Sequence, residues 1–590
     1  MIDATDYELI TTPEVVRRAA AELAKHSVLG FDTETTSLDP YAGRLRLVQF
    51  SSPSGVYVFD MDCFGDDLAR CDALAPLREL LSALRPVKIA HNAKFDAKWI
   101  KKTLDVEIGG LFDTLLASQL ISAGEQEDRH GLAAVASRYL GESVDKSERL
   151  SDWSGELSSS QLEYAARDAS VLLPLRERMV ERLKADTLNR VAQLEFECVQ
   201  PVADMELAGF FLDQHRWREQ LVSVEHQRIK LADQLQEMLA EGAIQGSLFG
   251  RAEINLDSQV QVSEALKRLG VPLPESTRNW KLQPLAADYP VVATLLEYRT
   301  VQKAMTSYGE NILEEISPVT GRVHADFRQI GAPTGRFSCS NPNIQQVPHA
   351  IEYRRCFRAP EGRKLIIADY SQIELRILAD FSGDKGFIEA FRSGADLHRV
   401  TAAQVFGVGL DQVSSEQRTF AKRLNFGVVY GIGAQRFAML TGMSQTEAES
   451  VLRRYFATYP QLDQFLRDVA NRAVRERSVR TASGRLVKFN FDPADKQAVS
   501  GAQRNGKNAP IQGTSADILK RALRLLHDRL RGTGARIVNI VHDEVVVEAD
   551  APNAEDTVKI VDEALTAAGE EYVSAVPVKV EVEVADEWVK

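Results

Sequence analysis

Cysteine is scarce and scattered in this sequence: Cys63, Cys71, Cys198, Cys339 and Cys356 are the five among 590 residues, and no two stand in a C-x-x-C spacing. That argues against a zinc site or a disulfide framework and fits a reducing compartment. No stretch is long and apolar enough to span a bilayer, and the opening MIDATDYELITTPEVVRRAAAEL lacks the basic start and apolar run of a secretory signal. A soluble, cytoplasmic protein with no membrane partner is expected, with an organellar origin left open. Basic excess is missing too. The net charge of −13 argues against chain-wide affinity for polyanions, although local clusters of Lys and Arg can still bind them. Internal repeats and low-complexity tracts are absent. What remains is ordinary globular composition, 44% hydrophobic and 26% charged, with length for several domains of about 100 to 200 residues each.

Two aspartates stand out against this background. Asp369 in LIIADYSQIELR and Asp543 in NIVHDEVVVE each end a strongly apolar, β-branched stretch that reads as a strand. Acids from separate segments, brought together by a fold, can hold paired divalent cations about 4 Å apart, the arrangement that clamps both oxygens of an in-line phosphoryl transfer. The pair therefore suggests nucleotidyl-transfer chemistry. Basic stretches lie nearby in sequence: Arg354, Arg355, Arg358, Arg363 and Lys364 before the Asp369 strand, and Arg472, Arg475, Arg477, Arg480, Arg485 and Lys488 further on. Their position favours polyanion contact over an ordinary solvated face.

The first 190 residues carry acids of their own. VLGFDTET, LRLVQFS and GVYVFDM read as strands, the last two joined by a Ser-Pro-Ser-Gly turn. Helices are expected at PLRELLSAL and GLAAVASRYLG, around a further strand in KIAHNAKFDAKWI. Asp32 and Glu34 alternate on the first strand and so share a face. Asp96 follows the KIAHN strand. In SQLEYAARDASVLLPL, Ser160 and Glu163 fit a capping box, and Tyr164 and Asp168, four apart, stack on one helical face. FDTET, HNAKFD and YAARD, in this order, resemble the motifs of the 3′-to-5′ exonucleases that proofread DNA synthesis. The resemblance implies that Asp32, Glu34, Asp96 and Asp168 bind two Mg²⁺ or Mn²⁺ ions and that Tyr164 orients the attacking water.

Residues 190 to 330 say less. QHRWREQLVSVEHQRIKLADQLQEMLAEG has helical apolar spacing, GAIQGSLFGRAEINLDSQVQVSEALKRLGVPLPEST has loop punctuation, and EYRTVQKAMTSYGENI places Arg299 and Lys303 on one helical face. The loop-rich stretch could track a ligand. A domain boundary is expected near residue 188.

Beyond 330 the pattern sharpens. TGRFSCSNPNIQQVP mixes turn residues with amides and one arginine, a composition suited to a polar partner. Ser414 and Gln417 form a capping box opening QRTFAKRLNFGVVYG, which Gly431 can close. Arg418, Lys422, Phe426 and Tyr430 follow at strict fours and make one slowly winding stripe, cationic first and aromatic last. That order suits the phosphates and then the base of a nucleoside triphosphate, with Phe420, Leu424 and Val428 as the core face. Arg504, Asn508 and Gln512 repeat the spacing on a helix in RNGKNAPIQ, placing an arginine and two amides where duplex shape can be read through minor-groove acceptors.

DYSQIELR, RxxxKxxxFGxxYG and VHDE, in this order after TGRxSxSNPN, resemble the motifs of the family A DNA polymerases. The resemblance covers nearly the whole chain and implies a multidomain α/β and α+β fold: an RNase H-like exonuclease domain at 1–188, then a right-hand polymerase domain at 189–590. Within the latter it implies a thumb at about 205–325, a palm at about 326–380 and 498–590, and fingers at about 381–497. The EYRTVQKAMTSYGENI helix then looks like a thumb helix gripping the DNA backbone. By the same resemblance Asp369, the main chain at Tyr370, and Asp543 hold two ions while Glu544 supports them. Glu374, with Gln372 beside it, is the steric gate against ribose 2′-hydroxyls. His398 joins Arg418 and Lys422 on the triphosphate, and Tyr430 guards the template position. Arg336, Asn341, Gln345, Arg504, Asn508, Gln512, His542 and Lys303 match positions that contact DNA. The implied partners are primer–template DNA and dNTPs, with a monomer expected and a helicase or processivity factor conceivable; the implied location is a nucleoid or a phage-infected cell. The chain starts just before the exonuclease motifs, so the 5′-nuclease domain of many relatives, and nick translation with it, are expected to be missing.

Two positions depart from the pattern. Ile540 stands where many relatives have glutamine, which implies one polar contact fewer to the primer region, and Gln346 replaces a usual asparagine. Phe426 in place of tyrosine implies poor use of dideoxynucleotides. Phe426→Tyr is predicted to raise dideoxynucleotide incorporation, checked by chain-termination ratios; an unchanged ratio would misplace this residue. The rival readings are a single-subunit RNA polymerase of related fold, a DNA-binding scaffold with dead sites, and a DNA-binding exonuclease whose polymerase half is inactive. Glu374 and the full acid sets weigh against them.

Overall fold

The computed structural model describes residues 6–125, 129–142, 148, 151–240, 254–273, 276–348 and 351–589. Part of the loop-rich stretch expected to track a ligand, residues 242–253 and 274–275, lies outside the described residues. No helix among the described residues is long and apolar enough to cross a membrane.

The N-terminal part is built on a six-stranded mixed sheet, in spatial order Tyr7–Ile10, Gly55–Asp60, Leu45–Ser52, Val28–Thr35, Val87–Ala90 and Leu111–Asp113. The Val28–Thr35 strand runs antiparallel to Leu45–Ser52 and parallel to Val87–Ala90, so Asp32 and Glu34 sit on an interior strand. The helix Ser159–Ala185 crosses close behind it. Gly30 permits that approach, because a Cβ there would lie 2.1 Å from the Ala169 carbonyl oxygen.

Two local readings are corrected. KIAHNAKFDAKWI is strand only to Ala90. Asn92 adopts a left-handed φ of 65°, and a helix, Ala93–Leu104, follows with Asp96 in its first turn. Phe95 and Trp99 stand four apart in this segment, as a helix requires, and the remote Asp113 carboxylate accepts the Asn92 and Ala93 amides at 3.2 and 2.8 Å. The capping box of the Asp168 helix is Ser158 with Gln161, two residues earlier than expected, while Ser160 donates to Glu148.

The C-terminal part centres on an antiparallel sheet ordered Arg536–Val541, Glu544–Asp550, Arg363–Tyr370 and Val580–Ala585. Leu365, Ile366, Ile367 and Ala368 are fully buried in the largest apolar core, which fixes the register that opposes Asp369 to Glu544. The 35-residue helix Lys496–Leu530 packs against this body, and the helices between residues 373 and 475 complete it.

Residue 188 is not a clean seam. The next helix, Asn189–Ala208, gives Val191, Val199 and Ala203 to the N-terminal cores and Cys198, Val202 and Met205 to the C-terminal one. Its Glu195 enters a buried network: Lys520 Nζ lies 2.5 Å from Glu195 Oε1 and 2.7 Å from the Gly335 carbonyl, and Arg485 lies 2.5 Å from Glu195 and 2.7 Å from Asp517. Two cations and two anions balance there, all at or below 2% side-chain exposure. Removing one partner strands an opposite charge in the interior, so Glu195→Ala is expected to cost about 3–5 kcal/mol, read as a lowered thermal unfolding midpoint.

The basic stretches read as polyanion contacts are largely paired within the chain, while Arg355, Arg472, Arg475, Arg477, Arg480 and Lys488 keep exposed surface. Arg354 stacks on Trp588, Arg355 pairs with Glu587, Arg358 with Asp213, Arg363 with Glu548 and Asp550, and Lys364 with Asp586. In the second stretch Arg475 pairs with Glu476, Arg477 stacks on Phe491, Arg480 donates to Asp186 and Gly484 carbonyls, and Lys488 reaches Glu125. For Arg355, Arg358, Arg363, Lys364 and Lys488 the partner acid is distant in sequence, a pairing that sequence spacing does not reveal.

Candidate active sites

Asp32, Glu34, Asp96 and Asp168 come together from two strand positions and two helices. Asp96 is tied to the Asp32 strand, because the Thr33 hydroxyl donates to its Oδ1 at 2.6 Å. Gln49 donates to Asp32 Oδ2 at 2.9 Å from the neighbouring strand. Burial, followed by the charges of Asp96, Glu34 and Asp168, pushes Asp32 well above the usual carboxylate range. Glu34 rises through burial and the charges of Asp168 and Asp96. Asp96 is pushed up to about 7 by burial, against the lowering bond from Thr33. Such mutual repulsion among hard oxygen donors is what a divalent cation relieves, so this donor set fits one. Tyr164 hydrogen-bonds Asp168, and burial with the Asp168 and Glu34 charges raises its phenol, keeping it a neutral donor beside the acids.

The second site lies at one end of the C-terminal sheet. Asp369 is the penultimate residue of its strand, and Asp543 sits in the tight turn after Arg536–Val541, where His542 takes a φ of 57°. Burial first and the Asp369 charge second push Asp543 up to about 7, while Arg336 lowers it. The carboxylates therefore sense one another, and they too fit a hard divalent ion. Tyr370 can serve an ion only through its main chain, because its buried phenol donates to the Leu565 carbonyl at 2.6 Å. Glu544 is buried and accepts the Trp588 indole N–H at 2.8 Å, so it is held by the core behind the site.

Above the aspartates, Arg336 pairs with Glu374, and Tyr430 hydrogen-bonds both. This cluster joins the TGR loop, the start of the helix Ile373–Ser382 and the end of the helix Ser415–Val429. Gln372, at a φ of 56°, turns the chain into the Glu374 helix and keeps its Oε1 buried with no hydrogen-bond partner among the described residues. The Ser414–Gln417 capping box forms as expected, and Leu424 and Val428 are buried as the core face. Phe420 is only partly buried against that core. Arg418 is held at 2.6 Å by Asp396, Lys422 is exposed, and Phe426 lies 5.8 Å from the His398 ring, centroid to centroid. The stripe thus packs beside His398.

His398 is buried, and that desolvation, with Arg418 and Lys422 nearby and against the opposing Asp396 charge, pushes it down to about 4. Asn425 Nδ2 lies 3.0 Å from His398 Nδ1, and Thr401 and Tyr459 complete the chain behind it. A neutral ring accepting at Nδ1 carries its proton on Nε2, which makes it a hydrogen-bond donor. Asn425 was missed in the sequence; standing between two stripe positions at the buried face, it had only its polarity among apolar neighbours as a signal. Removing its amide loses a neutral hydrogen bond to His398 of about 0.5–1.5 kcal/mol, so Asn425→Ala is expected to lower kcat/KM for the nucleotide about 2- to 10-fold, checked by steady-state kinetics.

Of the expected DNA contacts, Arg504, Asn508 and Gln512 align on one helix, with Arg504 exposed beside Gly431 and Asn508 Oδ1 buried without a hydrogen-bond partner among the described residues. Asn341, Gln346 and His542 are exposed, and Gln345 donates to the Ile540 carbonyl at 3.2 Å. Ile540 itself is fully buried, so its replacement of glutamine adds to the core and leaves its carbonyl as the position's polar link. Lys303 is exposed on the helix Pro290–Ser307, far in sequence from the other contacts. Arg299 is corrected: half-buried, it donates to the Thr277 carbonyl at 2.5 Å and braces its own subdomain.

Comparison with known proteins follows this geometry. Residues 7–184 match the description 3′-5′ exonuclease, and residues 222–590 match DNA polymerase family A. The chain belongs to DNA polymerase family A. It is 33% identical to DNA polymerase I of Pseudomonas aeruginosa, over 92% of this chain and 62% of that protein. It is 32% identical to DNA polymerase I of Aquifex aeolicus, over 99% of this chain and all of that protein. Among solved structures it resembles the POL domain of Pol1 from M. smegmatis in complex with DNA primer-template and dNTP, with a TM-score of 0.86, 26% identity and coverage of 98% and 99%. Family A polymerase and exonuclease domains use divalent metal ions, in keeping with both carboxylate clusters.

Proposed function

We propose that this chain is a template-directed DNA polymerase that adds dNTPs to a primer 3′-hydroxyl and removes mispaired 3′ ends at its second site. The observation that carries the reading is the convergence of Asp369 and Asp543 with the Arg336–Glu374–Tyr430 cluster and the Arg418–Lys422 stripe facing His398. Two Mg²⁺ ions at each site, when bound, supply the charge that activates the attacking oxygen and steadies the leaving one. Asp369, Asp543 and the Tyr370 main chain would hold one pair; Asp32, Glu34, Asp96 and Asp168 the other.

The chain's own residues do the rest. Arg418, Lys422 and the Nε2–H of His398 bind the triphosphate, and Phe426 packs beside the nucleotide. Glu374, fixed by Arg336 and Tyr430, walls off the sugar's 2′ side and selects deoxynucleotides. Arg504, Asn508 and Gln512 follow the duplex from their shared helix face. We assign residues 1–188 to the exonuclease and 189–590 to the polymerase, with the Asn189–Ala208 helix as a shared strut; within the latter the thumb spans about 205–325, the palm about 326–380 and 498–590, and the fingers about 381–497.

The test is a labelled primer on a DNA template. Extension with dNTPs, shortening of a mismatched end without them, and loss of both on chelation are expected. Efficient extension with ribonucleotides would favour an RNA polymerase instead, and shortening with no extension would leave only the exonuclease.

A further inference from the structure

Glu107, Asp204 and His527 converge from three segments that neither active site uses: the loop after Ala93–Leu104, the shared helix Asn189–Ala208 and the last turn of Lys496–Leu530. One ligand atom from each lies within 4.8 Å of the other two. His527 Nε2 is 2.7 Å from Asp204 Oδ2 and 3.9 Å from Glu107 Oε1. The imidazole is nine-tenths buried, and its Nδ1 is buried without a hydrogen-bond partner among the described residues, 3.9 Å from Asp528 Oδ1. The three residues line a cleft of about 350 Å³ together with Lys101, Arg531 and Arg536. Arg531 pairs with Glu107 Oε2, which leaves Oε1 turned toward the histidine.

We propose that this cluster is a divalent transition-metal site, of the zinc class, that staples the exonuclease domain to the palm. One imidazole nitrogen and two carboxylate oxygens match the N/O ligand set of Zn²⁺, whereas the catalytic clusters offer oxygen alone, the set that suits Mg²⁺. Zinc–ligand bonds of about 2.0–2.2 Å in a tetrahedron set ligand atoms about 3.3 Å apart, so His527 Nε2 and Asp204 Oδ2 part slightly while the flexible Glu107 side chain swings in. Binding replaces the proton between Nε2 and Asp204. In the neutral ring that proton reappears on Nδ1, where Asp528 is placed to receive it; from a protonated ring one proton leaves to solvent. Arg531 on the outer oxygen of Glu107 and Asp528 behind His527 are the outer partners that orient metal ligands. A fourth position faces the cleft and takes water.

The experiment is Zn²⁺ titration of the full chain by calorimetry in excess Mg²⁺, which occupies the oxygen-only sites. One Zn²⁺ equivalent is expected in the unaltered protein, accompanied by a higher Tm. His527→Ala and Asp204→Asn are each expected to weaken this binding at least about 100-fold and to abolish the Tm gain. Circular dichroism and retained primer extension confirm that both variants fold. Equal zinc stoichiometry and affinity in the unaltered protein and both variants would overturn the site, as would absence of zinc binding by the unaltered protein. In those cases the cluster is an ion-pair latch only.

Discussion

Asp369→Ala is expected to lower primer extension by about 10³-fold or more while mismatched ends are still removed. The magnitude follows from the role: ion-held charge stabilisation at a transferring phosphoryl group amounts to several kcal/mol, and each 1.36 kcal/mol is a factor of ten. Asp543 alone would not compensate, because on the proposed reading the ions are held by both aspartates from different segments. Single-turnover extension on a matched primer measures the loss, and a parallel assay without dNTPs measures the retained shortening. The pair also fixes a pH dependence. With Asp543 pushed up to about 7, a proton occupies the metal-free site below that pH and must leave before an ion can bind. The Mg²⁺ concentration for half-maximal extension is therefore expected to rise as pH falls below 7, by up to about tenfold per unit.

The sequence disclosed the parts of this molecule whose chemistry repeats with a structural period. Asp32 and Glu34 alternate along a strand, and Arg418, Lys422, Phe426 and Tyr430 recur at fours on a capped helix; in both cases local geometry alone puts the groups on one face. Asp369 and Asp543 were visible through the motifs around them, DYSQIELR and VHDE, because Asp60, Asp113 and Asp550 also end apolar strands. Long-range partners stayed hidden. Arg363 and Arg485 look like surface cations in sequence, yet Glu548 and Glu195 neutralise them from 185 and 290 residues away. Arg299 matched a DNA-gripping pattern, but the loop at Thr277 claims it. The helix after Asn92 was obscured because its amides are capped by Asp113, 20 and 21 residues downstream. Asn425 gave no periodic signal at all; its role exists only once His398 is folded against it.

Asp32→Ala is expected to abolish removal of mispaired ends, by about 10³-fold or more, and to leave matched extension intact. Burial and the charges of Asp96, Glu34 and Asp168 raise Asp32, while Gln49 and a main-chain bond support it. Losing it removes a central donor from the set that, on the proposed reading, would hold the ions. Stability should hold or improve slightly, because an uncompensated buried carboxylate is replaced by a small apolar group on an interior strand. Thermal unfolding checks that point, and it separates a chemical defect from a folding one. The two alanine variants together form the sharper test. Independent sites predict that each abolishes one activity and spares the other, and that an error-prone extension product accumulates only in Asp32→Ala. If either variant lost both activities while remaining folded, the two clusters would have to act as one catalytic unit, and the assignment of separate synthetic and editing centres would fail.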